Sequence, residues 1–134
     1  MTLNNLLQDS IIRIKNGYES HKANVILNKS NLSIKILEIL RKEGYIKAFI
    51  IKENLIIVTL KYYKDKGAIK NITSYLPSNK KAIFSFKEVK ELFKNRKTKI
   101  NGLGLTILST PLGILTDYDC IKKRQGGKPL ITIL

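Results

Sequence analysis

Residues 102–117 read GLGLTILSTPLGILTD, and this stretch constrains the fold more than any other. Gly102 and Gly104 predict a tight turn or a close backbone approach, because glycine has no Cβ atom. The apolar residues after them predict a buried strand, which ends at the polar turn 109–111. A dinucleotide-binding GxGxxG loop has to follow a strand and open a helix. Here the glycines precede a strand, so that kind of site is disfavoured.

The residues after this stretch predict one more helix and one more strand. Thr116 and Asp119 form an approximate capping box, which opens a helix over 117–125. A pair of glycines ends that helix. The apolar run 130–134 predicts a strand that is tied into a sheet.

The chain before residue 68 alternates between helical and strand-like periods. Leucines and isoleucines recur at helical spacing over about 3–18, which predicts an amphipathic helix. Ser30 is placed as the N-cap of a second helix, which Gly44 ends. Runs of β-branched and aromatic residues predict strands over 25–27, 45–51 and 55–62.

The remaining half of the chain predicts a lobe that is mostly β. Strand-like runs cover 69–75 and 82–86, and a short basic helix covers 87–94. A polar stretch that ends at Gly67 separates the two halves. We therefore predict two small lobes, 1–67 and 68–134, each with helices packed on strands, in the α/β class of the α+β type.

Charge is the strongest feature of the composition. The 134 residues carry 25 Lys and Arg against 10 Asp and Glu, and 25 − 10 gives a formal charge of +15. Both lobes are basic, since 12 − 6 gives +6 up to residue 67 and 13 − 4 gives +9 beyond it. Such a field favours phosphate-rich partners such as RNA, DNA or an anionic membrane surface. The apolar runs are far shorter than the roughly 20 residues that span a membrane.

No set of side chains indicates catalysis or metal binding. His21 is expected to be a surface residue, and Cys120 a buried, inert thiol. Asp117 and Asp119 lie at the start of a predicted helix, where capping explains both carboxylates. One histidine and one cysteine far apart make a poor ligand set for a metal. The sequence therefore predicts no enzyme, cofactor, metal or small-molecule substrate.

The polar turn admits two interpretations. Ser109 and Thr110 place two hydroxyls at the end of a strand. There Pro111 restricts the backbone, and Gly113 restores its conformational freedom. Hydroxyls in such a position can donate to and accept from base edges or ribose 2′-hydroxyls. The same residues are equally consistent with a plain polar turn.

Segment 102–117 also resembles a family signature. Bacterial-type ribosomal protein S-eight of the small subunit reads G-[LI]-G-I, an apolar strand, S-T-S, x-G-[VI]-[ML]-T-D and later G-G-E. The N-terminal half is similar to the same family at IRIKN (12–16), EGYI (43–46) and LKY (60–62). These motifs cover nearly the whole chain, in the family's order.

This resemblance implies a two-lobed protein that binds a stem in the central domain of small-subunit rRNA and helps to assemble the platform. It implies small-subunit rRNA and neighbouring small-subunit ribosomal proteins as partners, and neither a membrane partner nor an enzymatic activity. Family members can also repress translation by binding an mRNA stem that mimics the rRNA site. The sequence leaves this alternative open.

The resemblance further implies which residues contact RNA. The serine-threonine loop of the family corresponds to Ser109 and Thr110, and its RNA-facing aromatic residue corresponds to Phe84. The rest of the implied set comes from the turn, the N-terminal lobe and the glycine pair: Pro111, Gly113, Asn16, Ser30, Lys35, Gly127 and Lys128.

Four departures from the family pattern bear on RNA contact. Pro111 replaces a serine and removes a hydroxyl. Lys128 stands where the family has Glu, which turns an acceptor into a candidate phosphate contact. The family's Pro-Gly before Phe84 is missing, and an insertion lies between Leu92 and Gly102. Basic residues of these two regions are further candidate phosphate contacts, namely Lys80, Lys81, Arg96, Lys97 and Lys99.

The composition also bears on the compartment. The chain holds 21 Ile, 21 Lys and 11 Asn, whose codons are rich in A and T. Its first residues lack the features of a signal or transit peptide. These features suit an organelle-encoded protein or a bacterial one. Because the insertion and the missing Pro-Gly indicate a divergent family member, we expect the mitochondrial matrix, with a plastid or a bacterial cytoplasm as alternatives.

Overall fold

The computed structural model describes residues 3–74, 83–99 and 104–133. The chain divides into two compact units, Met1–Asn71 and Ile72–Leu134. The predicted lobe boundary, after residue 67, lies shortly before this division. Helices combine with antiparallel sheets along the chain, which confirms the mixed α/β class.

The N-terminal unit packs two helices on a three-stranded antiparallel sheet. Its main elements follow the predicted order: α1 (Leu3–Glu19), β1 (Asn24–Asn28), α2 (Asn31–Lys42), β2 (Ile46–Lys52) and β3 (Leu55–Leu60). The strands lie in the order β1–β3–β2. The strand predicted over 55–62 ends at Leu60. Two short strands, β4 (Tyr62–Tyr63) and β5 (Lys66–Gly67), then form a hairpin where the sequence predicted the end of that strand and a polar boundary.

Local signals in this unit act as the sequence predicts. Val25 and Leu27 of β1 are buried and alternate with exposed residues, so one face of the sheet forms the core. The Ser30 hydroxyl accepts a hydrogen bond from the Ser33 amide at 3.1 Å, which confirms the N-cap of α2. Gly44 follows α2 with a φ of +85°, which confirms the left-handed stop.

The C-terminal unit packs two helices on a four-stranded antiparallel sheet. Its elements are β6 (Ile72–Ser74), α3 (Phe86–Lys99), β7 (Leu105–Thr110), β8 (Gly113–Thr116), α4 (Asp117–Lys122) and β9 (Lys128–Ile133). The strands lie in the order β6–β9–β7–β8. Val89 of α3 and Cys120 of α4 cluster with Leu108 and Leu115 of the sheet, so both helices cover one sheet face. The predicted burial of Cys120 is confirmed.

Of the two strands predicted before α3, one is shorter than expected and the other is absent from the described residues, and one end of each prediction lies outside those residues. Over 69–75 the structure has only β6. Over 82–86, Phe84 makes an isolated bridge with Gly127, and Phe86 already belongs to α3. The second strand prediction is therefore wrong in its described part.

Helix α3 begins earlier and ends later than the predicted 87–94. Ser85 and Glu88 form a capping box that the apolar pattern concealed. The Ser85 hydroxyl accepts from the Glu88 amide at 3.3 Å, and the Glu88 carboxylate accepts from the Ser85 amide at 3.4 Å. The helix then continues to Lys99, into the inserted segment.

Helix α4 has the predicted start but not the predicted end. The Thr116 hydroxyl accepts from the Asp119 amide at 3.1 Å, which confirms the cap. The helix ends at Lys122 instead of residue 125, because Arg124 takes a left-handed conformation with a φ of +53°.

Candidate nucleic-acid interface

A two-residue turn joins β7 to β8 at one end of the C-terminal sheet. Thr110 and Gly113 face each other across the ladder, so Pro111 and Leu112 form the turn. The proline ring fixes φ at about −65°, which suits the second position of such a turn. Gly113 has a φ of +117°, which residues with a Cβ rarely adopt. Both residues therefore shape the turn.

The hydroxyl of Thr110 holds this turn closed. Its Oγ1 donates to the Gly113 carbonyl at 2.8 Å and accepts from the Leu112 amide at 3.1 Å. The hydroxyl proton is used in this way, and one acceptor lone pair is left. Thr110 thus contributes mainly to the shape of the turn.

The side chain of Ser109 points the other way. Leu108 lies in the cluster beneath α3 and α4, and side chains alternate along a strand, so Ser109 lies on the opposite face of the sheet. Across the ladder it pairs with Ile114 of β8 and Lys128 of β9, which share that face. The Ser109 hydroxyl makes no hydrogen bond to the described residues. We call Ser109, Ile114 and Lys128 the tip patch.

Gly127 allows the strands beneath the tip patch to approach closely. A Cβ atom at residue 127 would lie 2.5 Å from the Ser109 carbonyl oxygen and 2.8 Å from the methyl carbon of Thr110. On its other edge, Gly127 exchanges two backbone hydrogen bonds with Phe84, at 2.8 and 2.9 Å. The structure thus brings together five predicted residues, namely Ser109, Thr110, Phe84, Gly127 and Lys128.

The ring of Phe84 has a structural task as well. It is half-buried and packs against the cluster of Val89, Leu108, Leu115 and Cys120. Only the remaining exposed part of the ring is open to an outside partner.

The three predicted residues of the N-terminal unit do not form one site. Asn16 is exposed on α1 and lines a cleft of about 380 Å³. The hydroxyl of Ser30 is engaged in capping, and it also donates to the Ser33 hydroxyl at 2.8 Å. Lys35 is exposed on α2, outside that cleft.

Further basic and amide side chains around this cleft were not predicted as RNA contacts from the sequence. Arg13, Lys22 and Asn24 line it as well. Arg13 is held in place, since it donates to the Asp9 carboxylate at 3.0 Å and to the Ile26 carbonyl at 3.1 Å. The sequence did carry a signal for this ion pair, because Asp9 and Arg13 lie four residues apart on a helix. Such donors suit a phosphate group.

The other predicted phosphate contacts are only partly placed. Lys80 and Lys81 lie outside the described residues. Arg96, Lys97 and Lys99 belong to the last turns of α3, and the structure describes the backbone there but not these side chains.

The titratable groups of the described residues are placed for structural roles and not in an arrangement typical of catalysis. Burial, together with the carboxylates of Asp117 and Asp119, raises the pKa of the Cys120 thiol to about 11. His21 is exposed, and its ring stacks on Tyr62 at 5.8 Å between centroids. Within the described ranges, no group of three His, Cys, Asp or Glu residues is arranged to hold a metal ion. No helix in those ranges is long and apolar enough to cross a membrane.

Comparison with known proteins supplies the family. The family model described as Ribosomal protein S8 matches residues 5–134. This chain belongs to the ribosomal protein S8 family. Segment 102–117, whose motifs resemble that family's signature, folds into β7, the turn and β8 in its described part.

Several relatives in this family match the chain over its length. Small ribosomal subunit protein uS8 of Allorhizobium ampelinum is 31% identical over 138 residues, with 99% of each chain covered. The protein of the same name from Rhizobium leguminosarum bv. trifolii is 30% identical with the same coverage. That of Erythrobacter litoralis is 31% identical over 137 residues, again with 99% of each chain covered. These relatives are bacterial proteins.

Proposed function

We propose that this chain is a structural constituent of the small ribosomal subunit that binds a stem of the small-subunit rRNA and has no catalytic role. The observation that carries the proposal is the tip patch, where the Ser109 hydroxyl lies beside Lys128 and has no partner among the described residues. Family membership supplies the context, since the related proteins are named as proteins of the small ribosomal subunit.

The tip patch has the chemistry that RNA recognition needs. A hydroxyl both donates and accepts, so Ser109 can pair with a base edge or a 2′-hydroxyl in the wide RNA minor groove. Lys128 is half-buried one strand away, where its ammonium group can contact a backbone phosphate. The closed turn and the close approach at Gly127 hold both groups in place before RNA arrives, which lowers the entropy cost of binding.

The N-terminal unit contributes a second contact in this proposal. The cleft beside Asn16 carries a fixed guanidinium from Arg13 and an ammonium from Lys22. Both are sequence-independent phosphate ligands. We assign Lys35 and the inserted basic residues of α3 the same supporting role, which raises affinity without reading shape.

The proposal is tested by titrating the protein with the central-domain stem of small-subunit rRNA. A scrambled stem of equal length and charge serves as the control. We expect the cognate stem to bind at least about tenfold more tightly at physiological salt, because phosphate contacts are common to both RNAs. Equal affinity for the two stems would contradict the proposal.

The same surface is compatible with a repressor that binds an mRNA stem of similar shape. Sedimentation of a cell extract separates the two roles. A ribosomal constituent is recovered with small subunits, whereas a repressor is recovered mainly free of ribosomes. The compartment stays a prediction from composition, since the bacterial relatives do not indicate mitochondria.

A further inference from the structure

A groove of about 400 Å³ lies between α3 and α4, on the helices that cover the other face of the C-terminal sheet. Its floor is apolar and is formed by Phe93, Tyr118 and Ile121. Its rim is formed largely by the lysines of α3, at residues 87, 90 and 94. Because these lysines are three and four residues apart, they lie on one side of the helix.

The aromatic residues of the groove are placed for contact with a flat ligand. Tyr118 is 55% exposed, although it belongs to a helix that packs on the sheet. Its ring lies 6.2 Å from that of Phe93, at 46° between the planes. The ammonium of Lys122 lies 5.5 Å from the centre of the Tyr118 ring. An exposed ring and an ammonium group thus occur side by side.

The residues that line the groove carry a net positive charge. Glu91 is the acidic residue among those that line it. Glu88 is hydrogen-bonded to Ser85 at the start of α3. Asp117 is buried, and its Oδ1 accepts from the Tyr118 amide at 2.8 Å. Three lysines and one glutamate line the groove, and 3 − 1 gives its lining a formal charge of +2.

We propose that this groove binds an unpaired nucleotide of single-stranded RNA, with the base stacked on Tyr118 and the flanking phosphates on the lysines of α3. A flat apolar moiety bonded to negative charge matches an aromatic floor with a cationic rim. An acidic peptide would match the rim but would not need an exposed ring. The site is separate from the tip patch, and it rests on the proposed function only for the source of the RNA.

The test measures binding of a fluorescent single-stranded oligoadenylate decamer by anisotropy at 150 mM salt. Tyr118→Ala is expected to weaken binding by about five-fold to a hundred-fold, the usual effect of removing one aromatic ring on which a base stacks. Tyr118→Phe is expected to bind like the wild type, because the ring is retained. Tyr118 is exposed, so its replacement leaves the core intact.

Tyr63 provides a matched control. It is 74% exposed, and the ammonium of Lys64 lies 5.4 Å from its ring centre, but it belongs to the N-terminal unit. Tyr63→Ala is expected to leave decamer binding unchanged. An equal loss in both alanine variants, or no loss at Tyr118, would overturn the proposal, because binding would then come from lysines alone.

A second variant separates stacking from apolar docking. Tyr118→Leu keeps apolar area and removes the ring, so we expect it to bind the decamer as weakly as Tyr118→Ala. Wild-type affinity in this variant would overturn the proposal and favour a protein partner. The rRNA stem serves as the independent check, since Tyr118→Ala should leave its affinity unchanged. Failure of the wild type to bind the stem would count against the proposed function alone.

Discussion

The closed turn at Thr110 can be tested by an isosteric change. Thr110→Val keeps the shape of the side chain but removes the hydrogen bonds to Gly113 (2.8 Å) and from Leu112 (3.1 Å). Each intramolecular hydrogen bond is worth about 0.5–1.5 kcal/mol, so the two together contribute roughly 1–3 kcal/mol. Leu112 is exposed, so water replaces part of this loss and the lower end is expected.

Urea denaturation followed by circular dichroism measures this loss. With a denaturant slope of about 2 kcal/mol per molar, a loss of about 1 kcal/mol lowers the midpoint by about 0.5 M. Hydrogen exchange at the Leu112 amide should also become faster, because that amide loses its acceptor. Thr110→Ser retains the hydroxyl and serves as the control. If Thr110→Val kept both the midpoint and the exchange rate of the wild type, the hydroxyl would not hold the turn.

Four further predictions concern the same unit. Gly127→Ala should lower the free energy of unfolding by about 1–3 kcal/mol in urea denaturation, because the new Cβ would lie 2.5 Å from the Ser109 carbonyl oxygen; unchanged stability would refute that close approach. The thiol of Cys120, with its pKa raised to about 11, should resist iodoacetamide at pH 8 until urea is added, and rapid labelling of the folded protein would contradict its burial. Because this pKa is raised on folding from 9.0, stability should fall between pH 9 and 11 in the wild type, and Cys120→Ala should show a smaller fall in the same pH titration of unfolding. Lys128→Gln should weaken binding to cognate and random RNA alike and reduce the salt slope by about one, and an unchanged slope would exclude a phosphate contact there.

The N-terminal unit was predictable because its signals are local. Ser30 caps a helix with its own side chain, and Gly44 ends the same helix by its backbone conformation. Apolar periodicity then separates helix from strand over long runs. The short hairpin at Tyr62–Gly67 was missed because Lys64 and Asp65 both adopt positive φ, which neither residue type signals strongly.

The C-terminal unit depends more on contacts that sequence spacing cannot show. The cap of α3 was overlooked because Ser85 lies within the apolar run 82–86, which suggested a strand, although Glu88 falls in the predicted helix. The opposite directions of Ser109 and Thr110 follow from strand alternation after a register shift at Ile107 and Leu108, which depends on the partner strand.

The candidate site, too, could be predicted only in part from the sequence. The resemblance suggested which residues to consider, but not that the hydroxyl of Thr110 is engaged within the turn while that of Ser109 is not. The close approach at Gly127 and the groove at Tyr118 depend on distances between elements far apart in sequence. Neither follows from a local pattern.

The central claim is that Ser109 reads RNA shape while the lysines supply general affinity. Its most direct test is the affinity of Ser109→Ala for the central-domain rRNA stem and for random RNA, with Ser20→Ala, an exposed serine of the other unit, as the control. We predict a loss of roughly 1–3 kcal/mol on the cognate stem, almost none on random RNA, and none for the control. An equal loss on both RNAs, or no loss on either, would contradict the claim and leave the tip patch as a plain polar turn.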